Sequence, residues 1–511
     1  MRTEPTADHV DVLIIGAGLS GIGAAHHLQE SFPDKTYTVL ESRESIGGTW
    51  DLFRYPGIRS DSDMYTLGYR FRPWTGGKAI ADGPSILQYI RDTAAEAGID
   101  RNIRFQHQVS RMTWSSADSR WTVEARRDDT GEQVTLTAGF VVTCTGYYRY
   151  DEGYTPDFAG VDRFAGQVVH PQHWPEDLDC DGKRMVVIGS GATAVTLGPA
   201  LARLGAQVTM LQRSPTYIVS APAKDATASA LRRVLPARAA YAVARAKNIT
   251  RSVAIYELCQ RFPRAARSLI RRAQIGRLGE GFDIDTHLAP RYNPWDQRLC
   301  LVPDGDLFDA LRTGDVAIET DRIDTFTESG IALRSGKQLP ADIVVSATGL
   351  NLIAFGGIEI VVDGRTVSLP ETMAYKGMML SGVPNFSFIV GYTNASWTLK
   401  ADLVCEYVVR LLGHMDAGGH ATCVPRREPS VGEEPFLDFA AGYVLRTVDN
   451  FPKQGSEAPW RLRMNFFRDL VTLRHGSVTD SMSFESAGSQ VGDSVGGAQE
   501  KSPASRSELR A

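Results

Sequence analysis

Two glycine-spaced turns stand in this sequence where a backbone could meet a pyrophosphate. The first is Gly16-x-Gly18-x-x-Gly21, with Glu41 about 20 residues further on. In such a turn the first glycine makes the bend and the second lets main-chain N–H groups approach phosphates. The third lets helix and strand pack closely, and the helix N-terminus adds partial positive charge. An acid at the distance of Glu41 holds ribose hydroxyls. The second turn is Gly189-x-Gly191-x-x-Ala194, and the strand after it ends in Gln212-Arg213-Ser214. A carboxylate there would repel a 2′-phosphate, whereas a guanidinium offers forked, charge-assisted donors. The pairing of an acid with the first turn and an arginine with the second implies FAD at the first and NADPH at the second. That is a flavoprotein reduced by a nicotinamide.

The elements that must position these turns are legible around them. Val10 to Ile15 is a short apolar run, read as a buried parallel strand, and Ile22, Ala25 and Leu28 follow at helical spacing. "YTVLE" closes this βαβ unit at Glu41. The same grammar recurs from Met185 through "QVTMLQR". Two further apolar runs, "FVVTCTGY" and "DIVVSATGL", each close on Thr-Gly, where the backbone can come near a cofactor. The fold class predicted is α/β, with two Rossmann-like dinucleotide-binding domains and a helical insertion in the NADP domain. The expected boundaries are an FAD-binding domain over 1–150 and 346–484, and a linker over 151–175. An NADP-binding domain takes 176–223 and 286–345, interrupted by an Ala-, Leu- and Arg-rich helical insertion over 224–285. Residues 485–511 are Ser, Gly, Ala and charge without period, and read as a disordered tail.

Composition excludes several classes. Apolar residues make up 43% and charged residues 23%, as in an ordinary globular protein, and the net charge of −5 argues against a nucleic-acid binder. Six scattered cysteines without C-x-x-C spacing make neither a disulfide framework nor a zinc or thioredoxin-like site. Disulfide reductases also join FAD to NADPH, but they need a redox cysteine pair. No apolar run is long enough to span a bilayer, and the N-terminus has no signal-peptide pattern. A cytoplasmic setting is expected, with peripheral membrane contact through the arginine-rich insertion as an alternative to a solvated cover over a cleft.

Two further stretches narrow the chemistry. "GGTWDLFRYPGIRSD" carries Gly48-x-Trp50, Tyr55-Pro56-Gly57 and Asp61. "FAGQVVHPQHWP" carries Phe164-x-Gly166-x-x-x-His170-x-x-x-Trp174-Pro175, a stiff segment that fits neither helix nor strand period. With the paired glycine turns, these resemble the Baeyer–Villiger monooxygenases, the class B flavoprotein oxygenases, over about residues 9–485. "YNPWDQRLCLVP" and "GYTNASWTLKADL" are similar to the ethionamide-activating FAD-containing monooxygenase subgroup in particular.

The resemblance implies a reaction and a set of residues. In that family NADPH reduces FAD, O2 adds to the reduced flavin as a C4a-peroxyflavin, and the peroxide attacks a ketone to give an ester or lactone. Sulfur in thioethers or thioamides is an additional target, and a heteroatom-oxidising flavin monooxygenase is the runner-up reading. The family's active-site arginine falls on Arg298, and its partner aspartate on Asp61. An arginine stays protonated at any relevant pH and can stabilise an oxyanion. Read without the family, Asp61 could equally be a helix N-cap for "SDMYTLGYR", and Arg298 a surface residue. Ser20, Thr49, Trp50, Asp51, Leu52 and Val109 look like FAD contacts. Arg59, Ser60 and Asp61 would line the meeting point of flavin and nicotinamide. Gly189, Ser190, Gly191, Ala192, Thr193, Ala194, Val195, Arg213 and Ser214 look like NADP contacts. Where the family has a lysine before the arginine, this chain has Gln297, which leaves more of the 2′-phosphate selectivity to Arg213. His170 and Trp174 are read as anchors of a hinge-clamp between the two domains. The third reading, an idle nucleotide sensor, disagrees with the presence of both Asp61 and Arg298.

Overall fold

The computed structural model describes residues 8–297, 299–436 and 442–486. A nine-stranded sheet is centred on the strand Asp8–Ile15, which lies parallel between Tyr37–Leu40 and Gln133–Thr143. Its burial pattern is closed on both faces near the C-terminal end, as a parallel strand covered by helices requires. An antiparallel meander of His107–Ser115, Arg120–Arg127 and Gln133–Thr143 extends one side. Strands Glu359–Val362 and Phe386–Phe388, far later in the sequence, complete the same sheet. The helices Leu19–Ser31 and Trp397–Gly418 cover one face.

The second sheet has five strands, all parallel: Val316–Thr320, Gln207–Gln212, Arg184–Ile188, Ile343–Ser346 and Gln167–Val169. Gln167–Val169 corrects the sequence reading of the His170 segment, which found no strand there. Three residues carry no visible period; register against Ile343–Val345 alone makes them an edge strand. Between the two sheets runs a ribbon of Tyr148–Gly153 antiparallel to Leu350–Leu352.

The arginine-rich segment forms the helices Ala226–Val234, Ala237–Arg261 and Pro263–Leu278. Its packing is divided. Ala228, Tyr241 and Ala244 join the core against the first sheet, whereas Leu278 joins the core of the second. Arg245 is buried and donates to Asp402 Oδ2 at 3.2 Å and to the carbonyls of Tyr65 and Gly68. His27 faces the same carboxylate at 3.5 Å. Burial would push the Asp402 carboxyl up; the His27 contact and the Arg245 guanidinium reverse this and hold it below the usual carboxylate range. Removing one partner of such a pair is far costlier than never having built it.

The predicted start of the tail is also corrected. Met482–Ser486 is a strand paired with His420–Pro425, so residues 485 and 486 belong to the fold. Their M-S-F-E-S alternation is too short to register as a period. Residues 487–511 lie outside the described residues.

Candidate active site

The first glycine turn sits at the carboxyl end of Asp8–Ile15, where open α/β sheets place their ligands. Gly16 has φ +104°, and a Cβ there would lie 2.7 Å from the carbonyl oxygen of Cys144. A Cβ on Gly21 would stand 1.8 Å from the carbonyl oxygen of Gly16, so helix and strand meet with no room for a side chain. On Gly18 it would reach 3.6 Å from Gly48 Cα, into the gap between the two loops. Beyond the turn is a cavity of about 340 Å³. Gly16, Gly18, Ser20, Glu41, Thr49, Trp50, Ser60, Asp61 and Val109 line it, all of them singled out in the sequence.

Glu41 is 4% exposed and does two things there. Its Oε2 accepts from the Ala17 amide at 2.7 Å, inside the glycine turn, and its Oε1 from the Arg43 amide at 2.9 Å. Burial pushes its pKa up against these donors. Trp397 donates its indole N–H to Ser20 Oγ at 2.7 Å, and Tyr150 OH lies 3.1 Å from Thr49 Oγ1. Trp397, Tyr150 and Tyr392 are walls of this cavity that sequence reasoning missed. They follow no glycine motif, and only folding brings them to it.

Two expected contacts face elsewhere. Asp51 is buried, and its carboxylate takes Arg43 at 2.6 Å and Arg91 at 3.2 Å. Leu52 is buried, and neither residue lines the cavity. They hold the Thr49–Leu52 turn in place from behind. The helix N-cap question is also answered. Asp63, not Asp61, caps Met64–Leu67, accepting from the Tyr65 and Thr66 amides. Asp61 is half-buried and lines the cavity.

The second turn opens on a cavity of about 800 Å³. Gly189, Ser190, Gly191, Ala192, Thr193, Arg213, Ser214 and Gln297 line it. Arg213 and Ser214 are exposed. Ala194 and Val195 are buried in the core of the second sheet and support the turn rather than line the cavity. Arg322 and Arg334 add two guanidinium-bearing residues to the wall. They stand singly in the sequence, so no motif marks them. Arg298 lies outside the described residues.

The His170 segment clamps the ribbon between the sheets. His170 Nδ1 accepts from the Gln172 amide at 3.2 Å, which leaves Nε2 as the donor to the Gly349 carbonyl at 3.2 Å. These partners select the neutral tautomer, and burial lowers the imidazole pKa accordingly. A Cβ at Gly153 would lie 1.9 Å from His170 Cε1, so the ring fills the space that glycine leaves. Gln172, passed over in the sequence, donates to the carbonyls of Arg149 and Tyr150, both at 2.9 Å. His173 lies 3.0 Å from the Asp151 carbonyl. Trp174 packs partly buried against the core of the second sheet.

Comparison with known proteins decides the family. The flavin-binding monooxygenase-like family matches residues 80–362, and an NAD(P)-binding Rossmann-like domain matches residues 14–77. The FAD-containing monooxygenase EthA of Mycobacterium tuberculosis is 59% identical over 475 residues, covering 93% of this chain and 97% of that protein. This chain belongs to the flavin-binding monooxygenase-like family. Its EthA-type relative from Mycolicibacterium smegmatis is 55% identical over 93% of this chain and 96% of that protein. Among solved structures, an oxidized steroid monooxygenase bound to NADP superposes with a TM-score of 0.75 at 24% identity, covering 94% of this chain and all of that one. Cyclohexanone monooxygenase follows with a TM-score of 0.68 at 22% identity, covering 83% and 90%. These two share the fold. The flavin-binding monooxygenase read from the sequence accordingly stands, built on two Rossmann-like dinucleotide folds.

Proposed function

We propose that this flavin-binding monooxygenase uses FAD in the first cavity and NADPH in the second to insert one oxygen atom of O2 beside a ketone carbonyl, giving an ester or lactone. The observation that carries this reading is the wall at Ser60–Ser62. The loop that brings Asp61 into the first cavity packs its preceding residues on the second glycine turn's helix. This packing supports the reading, since a hydride donor held at the second turn would then face a flavin held at the first.

The residues present suit both groups. The Gly16–Gly18 backbone and the N-terminus of Leu19–Ser31 cradle a pyrophosphate, and Glu41 holds ribose hydroxyls. Arg213, with Ser214 beside it, would meet a 2′-phosphate. When bound and reduced, the flavin supplies the oxygen-activating chemistry. Arg298, assigned by motif, would supply a permanent positive charge for the oxyanion, and Asp61 would be its acidic partner. Arg298→Ala is expected to keep NADPH-driven flavin reduction and to lose ester formation, measured with ¹⁸O2 and product mass analysis. Ester yield per turnover equal to the parent's would remove Arg298 from the reaction. A panel pairing each ketone with its thioether isostere separates ketone oxygenation from the heteroatom alternative.

All six cysteines are buried free thiols, which fits a reducing cytoplasmic setting. Among the described residues no helix is long and apolar enough to cross a membrane. Peripheral contact is proposed through residues 224–285, which hold thirteen Lys and Arg against five Asp and Glu. Ile255, Leu258 and Leu269 on these helices, and Phe262 at the junction of the last two, are exposed. Apolar side chains among arginines suit an anionic lipid surface. Co-sedimentation with anionic but not neutral vesicles is expected, and equal recovery with both would remove this contact.

A further inference from the structure

The loop from Phe53 to Asp61 belongs by sequence to the first dinucleotide fold, yet Phe53, Tyr55 and Ile58 pack into the core of the second. Tyr55 is 7% exposed and is a member of the second sheet's core, with Phe53 and Ile58 packed against that core. Its hydroxyl is hydrogen-bonded with Thr193, in the second glycine turn, and burial raises its pKa to about 12. Gly57 has φ +76°, and a Cβ there would meet Ala200 Cβ at 2.7 Å, on the helix that the second turn opens. The next anchor is Arg59. Its Nη1 donates to Asp306 Oδ2 at 2.5 Å and its Nη2 to Asp306 Oδ1 at 3.2 Å. The two side chains are 11% and 19% exposed. Asp306 opens the helix Asp306–Thr313, which packs on Ala192–Arg203 beside the second sheet.

The backbone of Arg59 is held by the opposite half. It bridges to Asp82, the Gly83 amide donates to the Ile58 carbonyl at 2.8 Å, and the Ser60 amide to the Ala81 carbonyl at 3.0 Å. Asp61, two residues on, lines the first cavity, whereas Arg59 lines neither cavity. Its guanidinium is engaged by Asp306, and its buried Nε has no hydrogen-bond partner. So Arg59 is a rigid strut: main chain in one half, forked charge in the other.

We infer that Arg59 and Asp306 form an inter-domain latch that sets the second nucleotide fold against the Asp61 wall of the first cavity. Arg59 is a positioning residue for hydride transfer, not a cofactor ligand. The geometry supports this because a bidentate guanidinium–carboxylate pair fixes direction as well as distance. Hydride transfer falls steeply when the reacting atoms are misplaced by about 1 Å. The inference rests on the cofactor assignment proposed above.

The test is stopped-flow reduction of the FAD-loaded enzyme at saturating NADPH. Asp306→Asn and Arg59→Met are each expected to slow reduction about tenfold or more, with NADPH affinity within about threefold of the parent's. The double variant should be no slower than the worse single one, because both remove one interaction. Reduction within twofold of the parent in both single variants would overturn the latch. So would effects that multiply in the double variant, or NADPH affinity lost at an unchanged reduction rate. Should a single variant lose its flavin, Asp306→Glu in the same assay decides. It keeps the charge but shifts the fork, and an unslowed reduction there counts against the latch. Arg213→Ala, read by NADPH affinity, tests the cofactor assignment separately, since that residue touches neither partner of the pair.

Discussion

The two glycine turns share a plan and differ in how tightly they pack and how exposed their polar residues are. At the first, a Cβ on Gly21 would lie 1.8 Å from a carbonyl oxygen, and the third position can only be glycine. At the second, that position is Ala194, fully buried, so the packing there admits a methyl group. A Cβ on Gly191 would meet nothing within 4 Å. The first cavity ends on a buried carboxylate and is walled by Trp397 and Tyr150. The second is rimmed by exposed Arg213 and Ser214. A site whose polar groups are buried releases its ligand slowly, and a site that binds through exposed charge exchanges it. The contrast matches a resident flavin and an exchanging nicotinamide, the division proposed here.

The sharpest way to break this contrast is to exchange the third positions. Gly21→Ala is expected to yield protein without flavin, read by absorbance after purification, because backbone must move to admit the methyl. Ala194→Gly should cost only about 1 kcal/mol of helix stability and keep NADPH-driven reduction. If both variants retain flavin equally, the two turns are not packed differently.

Next in size is Arg213→Ala. Loss of charge-assisted bonds of about 1.5–3 kcal/mol raises the NADPH KM about ten- to a hundredfold with little change for NADH. Equal losses for both nucleotides would show that the guanidinium does not read the 2′-phosphate. A smaller effect is expected at the enclosing wall. Trp397→Phe removes the indole N–H that bonds Ser20 and should weaken FAD by about 1 kcal/mol, seen as about fivefold faster flavin loss on dilution. An unchanged loss rate would mean the indole does not contribute to enclosure.

The smallest effect concerns the clamp that joins the halves. His170 is held neutral, its folded pKa below the ordinary 6.5. The unfolded chain therefore takes up the proton first as pH falls. The stability His170 contributes is whole above pH 6.5 and is lost as pH drops through its lowered folded value. The thermal midpoint of the parent should fall more between pH 7.5 and 5.5 than that of His170→Gln. Parallel curves would mean that the imidazole's protonation state is irrelevant to the clamp.

The part of the first cavity near the first glycine turn was readable in advance, because its contributors are close in sequence. Gly16, Gly18, Ser20 and Glu41 follow from βαβ spacing, and Thr49, Trp50 and Asp61 from a motif. Asp51 and Leu52 carried the same motif but face inward, since a four-residue helix shows only one side to the cavity. Arg59 likewise shares a motif with Asp61, but its guanidinium pairs with Asp306, 247 residues further on, and a partner that distant leaves no local pattern. Gln172 and Trp397 stood inside family-like segments without any role assigned to them, and Arg322 had no local signal at all.

Sequence alone determined the two nucleotide turns, their acid and base, and the family, because these depend on residue identity at short spacing. Tertiary structure alone decided that Phe53, Tyr55 and Ile58 pack into the other fold, that Gln167–Val169 completes the second sheet, and that Asp402 gathers Arg245 and His27. Each of those rests on groups far apart in the chain. Their meeting is set by how whole elements pack, and no window of neighbouring residues contains it.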